Sequence, residues 1–318
     1  MQKYIILILV IALLPVFAIG QQTEPENGVA QHDIVYAISN AKIIVSSTTT
    51  IEKGTVVVKD GKILAVGTNP AIPKNAVKIN GKGYTIYPSF IDAYATEGFK
   101  KVVPNKTRKP QLNTLKIGPF YWNESIHPEF DAFSAISIKE IKDHEKYISQ
   151  GFGTISTHHN DGVLRGTAAC LTLDDQQRFN QFIKNQAANH YSFSKGSSKQ
   201  TYPSSQMGAI ALIRQFNLDA DWYANNDAVQ VDNDSYRAGI ENLKLPQIFE
   251  AADKLEVLRI AKLADELKLK PIVRTGGDDY ERIAEIKASG VRLILPLNFP
   301  VAYDMSDPYL SRFVTLAD

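Results

Sequence analysis

The rhythm of apolar and polar positions changes several times along the chain. Residues 5–18 (IILILVIALLPVFA) form an unbroken apolar run, and residues 21–33 (QQTEPENGVAQHD) are polar throughout. From 34 to 91 short alternating stretches take over. TVVVK at 55–59 runs into Asp60 and Gly61, a favoured hairpin turn, and KILAV at 62–66 leads away from it. Strand character returns at 77–79 and 84–87. Residues 98–135 read as loop. A helix is predicted at 138–150, closed by Gly151, followed by strands at 152–157 and within 163–173. Residues 186–204, rich in Asn, Ser and Lys, read as an exposed connection; 205–216 reads as a helix and 219–235 as a polar loop.

The last third has the clearest pattern. A strand at 245–249 precedes an amphipathic helix at 252–268, and a strand at 271–275 ends in Gly276 and Gly277. Asp278 is placed to cap a helix at 279–288, Gly290 to stop it, and 291–295 is the next strand. Strand, helix, strand, helix, strand at this spacing implies parallel βαβ units, in either a doubly wound sheet or a barrel.

Residues 1–20 have the layout of an export signal: Lys3, the apolar run, then Ala18 and Gly20 as small residues before a polar segment. Fourteen residues at about 1.5 Å rise span roughly 21 Å, short of a hydrocarbon core of about 30 Å. The expectation is therefore an exported protein, periplasmic or secreted, with no stable membrane span once the signal is removed. An uncleaved anchor is the competing reading.

Composition narrows the partners. The 318 residues are 44% apolar and 22% charged, which excludes a disordered tail or a disulfide-stapled mini-domain. Lys and Arg number 35 against 34 Asp and Glu, so nothing electrostatic favours nucleic acid or an anionic membrane; a small-molecule substrate remains. Cys170 is the only cysteine and reads as a small buried hydrophobe rather than a catalytic thiol.

Two stretches carry a resemblance. GTVVVKDGKILAVG (54–67) fits G-x-h-h-h-x-D-G-x-I-x-x-h-G, where h is apolar, and INGKGYTIYPSFID (79–92) leads into the position of a P-G-h-h-D-x-H-x-H motif. In these residues the chain resembles the amidohydrolase superfamily. GFGTI (151–155) and the βα units from 246 to 294 resemble its imidazolonepropionase-like branch. The resemblance covers residues 34–318. It implies an α/β fold, with a small β-sandwich domain (34–87) ahead of a (β/α)8 TIM-type barrel (88–318). About six of the eight barrel strands can be counted, so the barrel is expected to be incomplete and completed by further domains of a longer chain. A fragment ending at Asp318 is accordingly expected to be poorly soluble.

The resemblance also implies a divalent, zinc-type metal, and here the sequence departs from the pattern. Tyr94 and Thr96 stand at the two H-x-H positions, Glu250 stands where a later strand usually ends in a metal-binding His, and the eighth-strand Asp would fall past Asp318. A phenol and a threonine hydroxyl are poor ligands beside imidazole.

Among the remaining candidates, His158, His159 and Asp161 follow directly on a predicted strand, where barrels place their chemistry. Metal or substrate contact competes there with a polar loop. On an extended backbone only one of the two imidazoles can face a site together with Asp161. Glu250 is either a ligand or a strand-end carboxylate in a salt bridge. Arg165 either positions an anion or lies on the surface, and 275–278 is either a phosphate cradle or an ordinary βα turn. His127 reads as a surface loop residue.

Two functions follow. The first is a metal-dependent hydrolase of non-peptide carbon–nitrogen bonds; the second is a non-catalytic domain of the same fold that supports another domain. A solute-binding module is a weaker third.

Overall fold

The computed structural model describes residues 34–59, 61–103, 110–173, 182–226 and 231–296; the segments expected to be an export signal (1–20) and a linker (21–33), and Asp60, lie outside the described residues. The chain divides into two compact units between Pro88 and Ser89.

In the first unit, β1 (Val35–Ile44), β2 (Thr50–Lys59), β3 (Lys62–Gly67) and β4 (Val77–Asn80) form a sheet in the order β3-β2-β1-β4, and β5 (Thr85–Ile86) also pairs with β1. The β1–β2 and β2–β3 pairs are antiparallel, whereas β4 and β5 run parallel to β1. Period-two burial follows from the pleat: Val35 and Ala37 of β1 and Val57 of β2 form the buried cluster. The described strands of this unit make one sheet.

The second unit holds a seven-stranded sheet in the order β12-β11-β10-β9-β8-β7-β6. Its strands are β6 (Phe90–Ala95), β7 (Phe152–His158), β8 (Leu164–Thr172), β9 (Phe182–Tyr191), β10 (Gln247–Glu250), β11 (Pro271–Arg274) and β12 (Arg292–Ile294). Adjacent strands are parallel except at β8, which is antiparallel to both neighbours. The helices are α1 (Ala132–Ala135), α2 (His144–Ser149), α3 (Gln206–Ala224), α4 (Asp234–Asn242), α5 (Lys254–Glu266) and α6 (Ile283–Ser289).

Alternation along the short parallel strands separates the two faces. Phe249, Val273 and Leu293 join the helix-covered core with Leu212, Ile213 and Phe216 of α3 and Val257, Ile260 and Leu263 of α5. Their neighbours Ile248, Ile272 and Ile294 turn to the opposite face, where they meet Tyr94, Ala168 and Ala188. Each fully buried Leu, Ile or Phe here contributes about 1.5–3 kcal/mol. Asp253 caps α5, accepting from the Leu255 and Glu256 amides at 2.8 Å each. Gly290 ends α6 in the left-handed conformation at φ 71°.

Four sequence expectations change. The helix predicted at 138–150 is a 3-10 turn (Ile138–Glu140) followed by α2, because Ile141 leaves helical geometry to bury its side chain with Ala95, Ile155 and Leu171. The connection predicted at 186–204 takes in the second half of β9, whose residues 188–191 are buried. Two of its polar side chains bond inside the core: the Asn189 amide donates to the Tyr191 hydroxyl and to Gln247, and that hydroxyl donates to Gln247. The third change is α3, which runs to Ala224 and so takes up the start of the loop predicted at 219–235. Finally, Asp278 does not cap its own helix. Its carboxylate accepts from the Lys254 amide at 3.0 Å and so serves the first turn of α5.

Candidate functional site

Parallel strands end at a common edge, and a strand antiparallel to them begins there. That topology brings Tyr94 (β6), His158 (β7), Arg165 (β8), His190 (β9), Glu250 (β10) and Arg274 (β11) to the carboxyl edge of the sheet. A cavity of about 880 Å³ opens there, and Arg165, Ser192, Glu250 and Arg274 are among its lining residues.

The aim of Arg165 is set by the backbone. Leu164 pairs with Tyr191 and Gly166 with the adjacent His190, which leaves Arg165 as the extra residue of a β-bulge. Gly166 holds φ 76°, and a Cβ there would lie 2.1 Å from the Phe130 carbonyl oxygen. The bulged residue is buried, with 3% of its surface exposed. Its guanidinium donates to the Gly162 carbonyl at 3.2 Å, to the Tyr94 hydroxyl at 3.1 Å and to Glu250 at 2.7 Å. Ser192 donates to the same Glu250 oxygen at 3.3 Å.

Next to this network lie three rings in contact, two of them stacked. His158 and His190 are parallel within 12°, with centroids 3.8 Å apart, and Tyr94 packs on both at 4.5 and 5.5 Å. Both histidines are fully buried, and no ring nitrogen of either makes a hydrogen bond. Burial holds the His158 imidazole well below its ordinary range, and the neighbouring His190 and Arg165 reinforce this. His190 is pushed down to about 3 by burial and then by Arg165. Burial raises the Tyr94 phenol. At neutral pH the site therefore holds two neutral imidazoles, a neutral phenol and the Arg165–Glu250 ion pair.

No protein-family model matches the chain, and no curated protein matches it significantly. Solved structures do match. A crystal structure of an amidohydrolase from Thermotoga maritima aligns with 86% of this chain and 72% of its own, at 16% identity and a TM-score of 0.65. The fold is that of an amidohydrolase. A dihydropyrimidinase from Brevibacillus agri (11% identity, 82% of this chain, 56% of its own) has a TM-score of 0.37. A zinc-bound adenosine deaminase from Xanthomonas campestris (13% identity, 83% and 57%) has a TM-score of 0.29. Those two superpose too loosely to say more.

The divalent metal implied by an amidohydrolase fold has to be fitted to the donors present, and they do not fit it. Tyr94 is engaged by Arg165, and Thr96 is exposed at the cavity wall. Stacked imidazoles direct their in-plane lone pairs side by side, whereas a tetrahedral zinc needs them to converge at about 2.0–2.1 Å. Glu250 is already taken by a guanidinium. Asp161 points elsewhere: its carboxylate accepts from the Ser197 amide and hydroxyl at 2.6 Å each. His159 faces away from His158, stacked on Phe130 at 4.8 Å. Among the described residues no three His, Cys, Asp or Glu side chains form a group able to hold a metal ion.

Sequence reasoning placed His158 and Glu250 at this edge but did not assemble them with His190, Arg165 and Arg274. His190 was hidden inside the supposed exposed connection. Arg165 is not the surface residue of the simpler reading. Arg274 had a legible signal, a charged residue closing an apolar strand. His127 is half-buried rather than a surface loop residue, and burial lowers its imidazole to about 4.

Proposed function

We propose that the chain belongs to the amidohydrolase superfamily and that its second unit is a non-catalytic, small-molecule-binding domain of that lineage. In this reading the seven-stranded sheet is part of an incomplete (β/α)8 barrel, and the first sheet is part of the small β-sandwich that precedes it. The lineage hydrolyses non-peptide carbon–nitrogen bonds with water activated by a divalent metal, and here a fixed organic cation takes over that centre. The observation that carries the reading is the buried Arg165 guanidinium bonded to Glu250 and Tyr94. A dication about 5 Å from a guanidinium loses roughly 6–7 kcal/mol at an effective dielectric constant near 20. Removing Glu250 from Arg165 to serve as a ligand would add the cost of an unpaired buried charge, about 3–5 kcal/mol.

The second reading, a metal-dependent hydrolase, is favoured by one observation: His158 and His190 sit at nearby strand ends with all four ring nitrogens unbonded. Export through residues 1–20, and association with further domains of a longer chain, belong to the same proposal.

Elemental analysis of the purified full chain separates the readings. The expected result is no stoichiometric zinc, manganese or nickel. Stoichiometric metal that disappears in His158→Ala would establish the second reading instead. The intact mass of the same preparation, made in an exporting host, is expected to lack residues 1–20; an uncut chain would sink the signal assignment.

A further inference from the structure

The charges at the strand-end edge do not balance. Two guanidinium groups meet there, and one carboxylate serves them. Arg165 takes Glu250 at 2.7 Å. The Arg274 guanidinium lies over the face of the Tyr94 ring, 5.6 Å from its centroid, and makes no side-chain hydrogen bond or ion pair among the described residues. The carboxylate of Glu256, also in the cavity wall, is occupied by the Ala252 amide at 2.7 Å and Gln206 at 2.6 Å. Tyr94 is thus held between two cations, Arg165 at its hydroxyl and Arg274 on its face. A partly buried guanidinium with no anion is costly to desolvate, and a planar carboxylate matches its fork.

We propose that this cavity binds a carboxylate-bearing small molecule, with Arg274 as the principal anchor beside Arg165 and with Phe99 and Phe193 flanking the ligand's apolar body. Both aromatic residues line the same cavity. A carboxylate matches the planar fork of Arg274 and, with less charge than a phosphate, meets less repulsion from Glu250; Lys100 and Lys101 also stand in the cavity wall. The inference rests on the metal-free reading of the site.

Benzoate, benzamide and benzylamine share one ring and differ in charge, so they probe this directly. Titrated calorimetrically into the full chain with chelator present, benzoate is expected to bind at least tenfold more tightly than the other two. Arg274→Gln is expected to weaken benzoate at least tenfold while the unliganded variant still melts as a cooperatively folded chain, since Arg274 holds no ion pair. No benzoate binding up to tens of millimolar, equal binding of benzamide, or an Arg274→Gln variant that binds benzoate like the parent would each overturn the proposal. Repeating the titration with added zinc separates the two ideas. If benzoate binds only with zinc and ignores Arg274→Gln, both fail. If zinc binds stoichiometrically yet benzoate still requires Arg274, the metal-free reading fails and the carboxylate site stands.

Discussion

At the scale of single residues, the site depends on burial acting on charge. His190 stays neutral in the folded chain down to about pH 3, whereas in the unfolded chain it titrates near its ordinary value. Below about pH 6.5 the unfolded state therefore binds more protons, and stability falls as pH falls toward 3. His158 is shifted in the same direction. Replacing His190 with Phe keeps a ring in the stack and removes one titration. Between pH 6 and 4 the variant's stability should fall less steeply than the parent's, by about 1.4 kcal/mol per pH unit. Urea midpoints measured across that range check this, and parallel pH profiles would mean that His190 is already protonated or accessible in the folded state.

At the scale of elements, β8 decides what the edge can do. Had it been another parallel strand, Arg165 at its start would lie at the opposite edge of the sheet. Its antiparallel course and its bulge bring the guanidinium to Glu250 and Tyr94. Gly166→Ala would drive a Cβ into the Phe130 carbonyl at a positive φ, at a cost of about 2–3 kcal/mol. Because the same position aims Arg165, the variant should lose benzoate binding along with stability. A soluble variant that melts like the parent would show that the bulge is not fixed by this glycine.

The elements also show where sequence patterns suffice. The strands of the last third and the helix between β10 and β11 follow their apolar periodicity, because each packs one regular face against the core. β9 did not announce itself. A strand whose polar side chains bond to one another looks, residue by residue, like a solvated loop; burial is visible only when Gln247 of the adjacent strand supplies the partners.

At the scale of the whole molecule, the two units differ in how much they bury. Six apolar side chains are buried in the first sheet, Val35, Ala37, Ala41, Ile43, Val56 and Val57, and Ile63, Leu64 and Val77 stay exposed on its strands. The second unit has a large cluster fed by α3, α5, α6 and the five strands β8 to β12. Local opening is cheapest where few apolar contacts must break. Amides of β3 and β4 are therefore expected to exchange with deuterium well before those of β8, β9 and β10. Uniform protection across both units would contradict this.

By itself, the sequence determined the local content of the protein. Period-two runs separated by Asp-Gly and Pro gave the first strands, the βα repeat gave the parallel strands, and the 54–67 and 79–92 motifs pointed to the fold that the Thermotoga structure shares. These are short-range properties, written in contiguous residues. The tertiary structure alone decided the chemistry of the edge. Tyr94, His158, Arg165, His190, Glu250 and Arg274 are spread over 180 positions, and strand order and a bulge make them neighbours. Their charge states, the unpaired Arg274 and the place of Arg165 beside Glu250 come from burial and distance, which no linear spacing encodes.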